Sequence, residues 1–370
     1  MKRRVVHLIT GLTKAGAETM LYQIIKYRTE ESPDYYVITL GLSHYYEDMI
    51  RNMGVEVLEL DIRKHPFITL RRIRTFLKKD DILCCWMYIP NLIGYIVGRK
   101  KVSKLIWCIR HSDLSQKNNS RKTLIINRIC ERVSPKVDVI AYNGERSRKV
   151  HSDAGYKPVR DIVLENGLDL SEYRYDDELR KQVRKELGIE GDKKVILSVA
   201  RNHPIKDLPT FVKAFASVKS SRDDVTAVMC GPGITGDDDK LCDLCGEYGL
   251  EIGKDIHLIG FREDTNAVLN ISDVYVLHSA GEAFPNILIQ AMAAGIPVVS
   301  TDVGDVIKIL GNSNYVVPVG DHKGIADKIS EILDMSDSDR TEMISSNRNI
   351  VEEKYDIGNV VRSYEEMYLT

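Results

Sequence analysis

The sequence predicts an α/β protein made of two doubly wound, Rossmann-like domains, each built on a parallel sheet. Apolar, β-branched runs alternate with amphipathic helical patterns along the whole chain, and this alternation favours a parallel sheet with helices on both faces. A chain of 370 residues is long enough for two such domains, each with its own core. The same plan occurs on both sides of a turn-rich segment at residues 165–169.

The first predicted domain covers residues 1–167. One uncharged stretch in it, 82–98, is marginally short for a bilayer span of about 20 residues. We interpret it as a strand followed by a helix that begins near Pro90. The patterns predict strands at 4–10, 35–40, 55–60, 82–87, 105–109, 137–141 and 161–164, and helices at 17–30, 44–53, 67–79 and 120–133.

The second predicted domain covers residues 168–350, and its most informative part is residues 273–300. An apolar strand leads into a tight turn that contains Glu282, and Pro285 suits the first turn of the helix that follows. Gln290 lies two turns along that helix, whose free N–H groups favour an anion. The predicted strands of this domain are 194–199, 225–230, 255–259, 273–277, 297–300 and 315–317.

The segment around this turn resembles the E-x7-E signature of the retaining glycosyltransferases of family 4, also called glycosyl transferases group 1. That family has the GT-B fold, in which two Rossmann-like domains face each other across a cleft. The resemblance implies that Glu282 approaches the transferred sugar. Gln290 stands where the family has a second Glu that holds the ribose hydroxyls, and an amide can still donate and accept there. The resemblance also implies that Asn166 belongs to the linker and that a final helix, 351–370, packs back on the first domain.

Two segments of the first domain match the same family. The loop at residues 11–18 follows the first strand directly and opens a helix, as a phosphate-facing loop does. It resembles the family's G-G-A-E loop, which implies that Gly16 and Ala17 face the diphosphate and the acceptor. A tight turn that needs glycine is the alternative. His111 follows another strand, in a loop that resembles the family's histidine-containing loop. The resemblance implies that His111 contacts the transferred sugar. The alternative is a structural role, which is common for a lone histidine.

Two cations follow the first strand of the second domain. Arg201 and Lys206 match the family's R-x4-K clamp, which holds the diphosphate that leaves with growing negative charge. Surface charge is the alternative. The resemblance also implies a donor site framed by neighbouring loops and by the start of the helix after Pro285: Gly231, Gly260, Phe261, Arg262, Phe284, Asn286 and Ile287.

We expect no metal and no cofactor. Residues 237–239 contain a D-x-D pattern, which binds metal in the other major glycosyltransferase fold, but a solvated turn explains this acidic run in a glycine-flanked loop better. Cys242 and Cys245 have a metal-like spacing, yet no second pair or histidine cluster accompanies them in the sequence. Seven cysteines without a paired framework suit a reducing, cytoplasmic setting.

The formal charge of −2 hides an asymmetry between the halves. Residues 1–170 contain 30 Lys and Arg and 19 Asp and Glu, a formal net charge of +11, so residues 171–370 have a formal net charge of −13. Phe67, Leu70, Ile73 and Leu77 form one apolar helical stripe beside several arginines, and a core-packed helix with a solvated basic face is the alternative to a docking surface. No nucleic-acid module accompanies this charge. We therefore expect the first domain to meet an anionic membrane surface, with the protein peripheral at the inner face of the cell membrane.

The expected function is transfer of a sugar, with retention, from a nucleotide-sugar donor to an acceptor hydroxyl. We expect a UDP-sugar donor and a lipid-linked or oligosaccharide acceptor, and we expect closure of the cleft to assemble His111 with the clamp and Glu282. Two alternatives remain open. One is a nucleotide-sugar 2-epimerase on the same fold, and the other is a non-catalytic homologue that binds a sugar nucleotide.

Overall fold

A computed structural model describes residues 2–42, 45–116, 119–189 and 191–370 of the chain. The chain folds into two compact units, of which unit 1 combines Met1–Gly167 with Ile357–Thr370 and unit 2 is Leu168–Asp356. The division falls between Gly167 and Leu168, where the sequence analysis also divides the chain.

Unit 1 is a parallel sheet with helices on both faces. In the described part of the chain its seven strands follow the order β3-β2-β1-β4-β5-β6-β7, and every pairing is parallel. The strands are β1 Arg4–Ile9, β2 Asp34–Thr39, β3 Glu56–Glu59, β4 Ile82–Trp86, β5 Lys104–Ile109, β6 Val139–Tyr142 and β7 Arg160–Val163. The helices are α1 Gly16–Lys26, α2 Glu47–Asn52, α3 Pro66–Phe76, α4 Tyr88–Gly98, α5 Arg121–Val133 and α6 Glu145–Asp153.

The central strands of unit 1 are buried on both faces, as strands between two helix layers must be. All five residues of β4 are buried, and Trp86 and Trp107 are fully covered. Helix α4 lies very close to this strand, because a Cβ added at Gly94 would stand 2.2 Å from the Cys85 Sγ. The uncharged stretch at 82–98 is therefore a buried strand and a tightly packed helix. No helix within the described ranges is long and apolar enough to cross a bilayer.

Unit 2 repeats this architecture. Its sheet, counted over the described residues, has six parallel strands in the order β10-β9-β8-β11-β12-β13, which is the order of unit 1 without the last strand. The strands are β8 Lys194–Val199, β9 Val225–Cys230, β10 Ile256–Leu258, β11 Val274–Leu277, β12 Val298–Thr301 and β13 Val316–Val317. The helices are α7 Asp177–Glu186, α8 Leu208–Lys219, α9 Asp239–Glu247, α10 Thr265–Asn270, α11 Asn286–Ala293, α12 Val306–Leu310, α13 His322–Leu333 and α14 Asp337–Lys354.

The final helix requires a correction. The chain forms α15 at Ile357–Leu369, and α15 packs in the core of unit 1 on the side of α1. Residues 351–356, however, belong to unit 2, because α14 runs to Lys354 and Tyr355 is buried in the core of that unit. A single helix over 351–370 was therefore wrong, and the chain returns to unit 1 only at Ile357.

Two further helix predictions differ from the structure. The helix predicted at 44–53 is α2, which begins at Glu47, and His44 lies outside the described residues. In α3 the predicted apolar stripe is only half buried, because Ile73 and Leu77 are covered whereas Phe67 is 85% exposed. Helix α3 begins at Pro66, so Phe67 lies in its first turn, beyond the part of the helix that the sheet covers.

Candidate functional site

The carboxyl ends of β8 and β11 form the centre of the candidate site in unit 2. These strands are neighbours in the sheet although two strands, β9 and β10, lie between them in the sequence, so the loops that follow them diverge at a topological switch point. Open α/β sheets bind ligands at this point. The loop after β8 carries Arg201 and Lys206, and the loop after β11 carries Glu282.

Lys206 and Glu282 meet at this point. The Lys206 Nζ lies 2.5 Å from Oε1 of Glu282, and the two side chains are only 20% and 13% exposed. The Ser279 hydroxyl donates to the same Oε1 at 2.7 Å. The backbone joins the loops as well, since the Ala280 N–H donates to the Ile205 carbonyl. The predicted sugar-facing carboxylate and the predicted diphosphate cation are therefore in direct contact.

A buried histidine, His278, is hydrogen-bonded to the turn that carries Lys206. His278, only 2% exposed, receives a hydrogen bond from the Ser198 hydroxyl at Nε2 (2.6 Å), and its Nδ1–H donates to the Asp207 carbonyl at 3.2 Å. A carbonyl can only accept, which fixes this tautomer. Burial lowers the pKa of His278 to about 4, so the ring is neutral at pH 7. Asp207 has φ +50° and follows Lys206, so this network holds the turn that carries the lysine.

The structure does not join Arg201 to the pair. Arg201 is exposed on the same loop, and within the described ranges no ion pair or side-chain hydrogen bond engages its guanidinium. A cation that is held by no carboxylate remains available to an anion. Its role in the clamp stays a prediction.

The predicted glycines shape the neighbouring loops. Gly231 has φ +146°, and a Cβ there would lie 2.0 Å from the Ala200 carbonyl oxygen, so only glycine fits. The Gly231 N–H donates to the Gly260 carbonyl, which ties the loops after β9 and β10 together. Phe261 is 57% exposed beside them. An exposed aromatic ring at this edge can stack on a base.

Arg262 is already occupied by protein carboxylates. Its guanidinium contacts Glu186 at 2.5 Å and Asp264 at 2.6 Å. The pKa of the Asp264 carboxyl is held below its usual value chiefly by this arginine. Its positive charge is thus compensated before a ligand arrives, which argues against a direct part in donor binding.

Of the predicted residues in α11 and just before it, some lie in the core and some at the surface. Phe284 is buried and packs edge-on against Tyr355 with ring centroids 5.7 Å apart, so its side chain serves the core. Ile287 also packs against that core, whereas Asn286 is half-buried at the first turn. The Gln290 Nε2 donates to the Tyr173 hydroxyl at 2.9 Å. Gln290 therefore donates to a phenol oxygen. A glutamate at this position could only accept a hydrogen bond from that phenol.

The loop after β1 in unit 1 leads into α1, whose first residues are Gly16 and Ala17. A Cβ at Gly16 would meet nothing within 4 Å, and Ala17 packs on the core. Burial raises the pKa of Glu18 in the same turn. The open space at Gly16 is compatible with a ligand at this helix start, and the role of the loop stays a prediction.

His111 lies after β5 of unit 1, partly exposed. Its Nε2 is 3.2 Å from the Asn119 Oδ1, and an amide oxygen only accepts, so this nitrogen carries a proton. The Ser147 hydroxyl donates to the His111 carbonyl at 2.7 Å and anchors the loop. The imidazole can therefore hydrogen-bond a sugar hydroxyl. That role for His111 stays a prediction.

Asn166 is buried and engaged within unit 1. The Arg110 guanidinium donates to its Oδ1 and to the Tyr364 hydroxyl, and it lies 5.6 Å from the Trp86 ring. The network ties the end of the first domain to α15. Arg110 precedes His111, and the sequence alone did not reveal this role because its partners are distant in sequence.

The acidic run at 237–239 forms a helix start. Asp238 caps α9 by accepting from the Leu241 N–H, and its other oxygen accepts from the Asn202 amide at 2.7 Å. Cys242 and Cys245 lie on this same helix. Among the described residues no group of three or more His, Cys, Asp or Glu side chains could hold a metal ion.

Sequence reasoning missed Ser198, Ser279 and His278. All three lie at or just beyond the carboxyl ends of the two central strands of unit 2. Polar residues at the ends of otherwise apolar strands are the signal that could have identified them.

Comparison with known proteins shows which proteins this chain resembles. Residues 180–350 match the family described as "Glycosyl transferases group 1". The chain is 28% identical over 221 residues to N-acetyl-alpha-D-glucosaminyl L-malate synthase of Bacillus anthracis, which covers 57% of this chain and about half (54%) of that enzyme's length. It is 22% identical over 320 residues to EpsF of Bacillus subtilis strain 168, whose glycosyltransferase activity is itself inferred, with 81% and 79% of the two chains covered.

Solved structures of similar fold cover the whole chain. The Anabaena protein HepE, crystallised in complex with UDP and glucose, superposes with a TM-score of 0.83 over 99% of both chains at 19% identity. Sucrose-phosphate synthase from Thermosynechococcus elongatus gives a TM-score of 0.77 at 15% identity, over 99% of this chain and 98% of that one. At these identities the likeness shows the fold, which is the GT-B fold predicted from the sequence.

Proposed function

We propose that this chain, whose residues 180–350 match the glycosyl transferases group 1 family, transfers a sugar from a UDP-sugar donor to an acceptor hydroxyl. The observation that carries the proposal is the Lys206–Glu282 pair at the switch point of unit 2. HepE, a protein of the same fold, binds UDP and glucose, which supports UDP as the nucleotide. We assign the donor to unit 2.

Lys206, with Arg201, would compensate the charge that builds on the departing diphosphate. A preorganised cation does this without reorganisation during the reaction, and the hydrogen bonds around His278 keep Lys206 in place. Glu282 would accept from a hydroxyl of the transferred sugar. No metal ion is required by this arrangement.

We further propose that the transfer retains the configuration at the anomeric carbon. The bond from that carbon to the diphosphate oxygen breaks, the acceptor oxygen forms its bond on the same face, and the acceptor proton passes to the departing diphosphate. Glu282 is engaged by Lys206 and Ser279, which argues against its use as a covalent nucleophile.

The acceptor is assigned to unit 1, and His111 would orient a hydroxyl of the transferred sugar. We propose a lipid-linked acceptor met at an anionic membrane surface, as in the synthesis of a cell-surface glycan. The excess of Lys and Arg over Asp and Glu in residues 1–170 supports this location.

The test is incubation of the purified protein with a panel of UDP-, GDP- and ADP-sugars while free nucleotide is measured. Release of UDP from one UDP-sugar is expected, together with its loss in Lys206→Ala. Donor binding without release of nucleotide would indicate a non-catalytic homologue. Conversion of the sugar at C2 without transfer would indicate an epimerase. The anomeric configuration of the product, read by NMR, tests retention.

A further inference from the structure

Three neighbouring helices of unit 1, α3, α4 and α5, leave apolar side chains in solvent. They pack side by side over the same core on one face of the sheet. Phe67 is 85% exposed on α3, Ile96 is 58% exposed on α4 and Ile125 is 61% exposed on α5. Further exposed residues of these helices are Ile68, Ile89 and Ile129. Single exposed apolar residues are ordinary, but a group on adjoining helices marks an interaction surface. We call this surface the α3–α5 face.

The α3–α5 face is also strongly basic. The three helices contain seven Arg and Lys residues and a single carboxylate, Glu131. On α5 cations and isoleucines alternate at spacings of three and four, which places them on one side of the helix. Across the described residues no ion pair engages the exposed cations Arg71, Arg72, Arg121, Lys122, Arg128 and Arg132.

The opposite face of the same sheet lacks this character. Helices α1, α2 and α15, which cover it, contain five carboxylates and three cations. Some cations outside α5 are also committed within the protein, since Arg74 donates to the Val97 carbonyl and Lys104 to the Met367 carbonyl. Burial lowers the pKa of Lys104. Of the two helix layers on this sheet, α3–α5 therefore carries the excess of cations.

We propose that the α3–α5 face docks on an anionic lipid bilayer. Interfacial binding needs apolar side chains that enter the headgroup region and cations that attract acidic lipids, and this face supplies both on one side. Nucleic acid would use the cations but gains little from exposed isoleucines. The inference rests on the proposed function and deepens it, because it assigns the membrane contact to one face of unit 1. A cavity of about 980 Å³ along α5 extends to Asn119, the partner of His111.

The test is sedimentation of the full chain with vesicles of phosphatidylglycerol and phosphatidylcholine, compared with vesicles of pure phosphatidylcholine. Binding to the anionic vesicles at low salt is expected, and salt should weaken it. The double variant Arg72→Gln with Arg128→Gln should weaken binding about 25-fold, or about fivefold for each cation. The control, Lys26→Gln with Arg362→Gln on the opposite face, should change it less than twofold.

Phe67→Ser with Ile125→Ser should remove the binding that survives at high salt, whereas Ile307→Ser with Val319→Ser, exposed sites in unit 2, should not. Affinity for UDP is measured for every variant in the absence of vesicles. It should stay unchanged, and its loss would count against the proposed function rather than against docking. Equal, negligible sedimentation with both vesicle types overturns the proposal. Binding of single-stranded RNA with the same dependence on Arg72 and Arg128, without binding to vesicles, overturns it in favour of nucleic acid.

Discussion

Each unit holds a buried histidine bonded in the same way. The two histidines differ in how directly they are bonded to a predicted site residue of their own unit. In unit 1 the His151 Nε2 accepts from the Tyr88 hydroxyl and its Nδ1–H donates to the Ser147 carbonyl, both at 2.8 Å. In unit 2 His278 makes the equivalent pair of bonds to Ser198 and Asp207. Burial lowers the pKa of both rings to about 4.

The two networks differ in what they hold. His278 bonds directly to the residue after Lys206, whereas His151 reaches His111 only through Ser147, whose hydroxyl donates to the His111 carbonyl. Lys206 is paired with Glu282, while the side-chain hydrogen bond of His111 in the described part of the chain is to a neutral amide. Unit 2 thus fixes its charged residues in advance, and unit 1 fixes a loop. Preorganisation matters most where charge develops during the reaction.

The residues that the two networks hold should therefore differ in kinetic effect. Lys206→Ala should lower the rate of UDP release by about 10²–10³, the usual loss for one preorganised donor, and should weaken UDP binding. His111→Ala should leave UDP affinity unchanged, because His111 is assigned to the transferred sugar, which UDP lacks. Lys240→Ala, an exposed lysine on α9, is the control. Steady-state rates and UDP titrations measure both effects, and a Lys206→Ala enzyme with normal turnover would remove this lysine from the mechanism.

Acid should destabilise both units through these histidines. Between about pH 6.5 and 4 each of these histidines is protonated in the unfolded chain but neutral in the folded protein. The stability that each histidine contributes is fully present above pH 6.5 and is lost as the pH falls, by about 3 kcal/mol at most for each ring.

Urea unfolding from pH 7 to pH 4.5 measures this dependence. His151→Gln and His278→Gln should each flatten it, because glutamine does not titrate. An unchanged slope in either variant would show that the corresponding ring is not neutral in the folded protein.

His278 should act as a positioning residue, and His151 should not. His278→Gln loosens the turn that carries Lys206, so kcat is expected to fall about 10–100-fold while KM for the donor changes little. His151→Gln removes a similar pair of hydrogen bonds and should lower stability by a similar amount, about 1–3 kcal/mol, with kcat nearly unchanged. Equal loss of kcat in both variants would mean that the effect is one of stability alone.

Patterns that repeat along the chain predicted the fold well. Buried parallel strands are continuous apolar runs, so each predicted strand has a counterpart in the sheets, and the turn at 165–169 marks the division. The break between α14 and α15 was missed because no proline or glycine interrupts the helical pattern before Asp356. Burial of Tyr355 in unit 2 decides it.

The candidate site was only partly predictable. Lys206 and Glu282 could be paired from their motifs, and they are in contact. The commitments of Arg262 to Glu186 and of Phe284 to the core depend on contacts between segments far apart in sequence. No local pattern carries that information, so the resemblance to a family overstated the number of side chains that remain available to a ligand.

The smallest expected effect concerns Gln290, whose amide donates to the Tyr173 hydroxyl. In Gln290→Glu the direction of this bond can reverse, with Tyr173 donating to the carboxylate, and a charge-assisted bond is at least as strong. A carboxylate could also accept from both ribose hydroxyls of the donor, so UDP affinity should stay within about tenfold of wild type or improve slightly. Gln290→Leu should weaken it more, since it can neither donate nor accept.

A double-mutant cycle with Tyr173→Phe separates the two contributions. If the tyrosine is the only partner that matters, the effects of Gln290→Leu and Tyr173→Phe on UDP affinity will not add; if Gln290 also holds the ribose, Gln290→Leu will weaken binding further in the Tyr173→Phe background. A loss of more than about 100-fold in Gln290→Glu, equivalent to about 2.7 kcal/mol, would contradict the prediction. It would mean that the donated N–H of Gln290 is itself required for UDP binding.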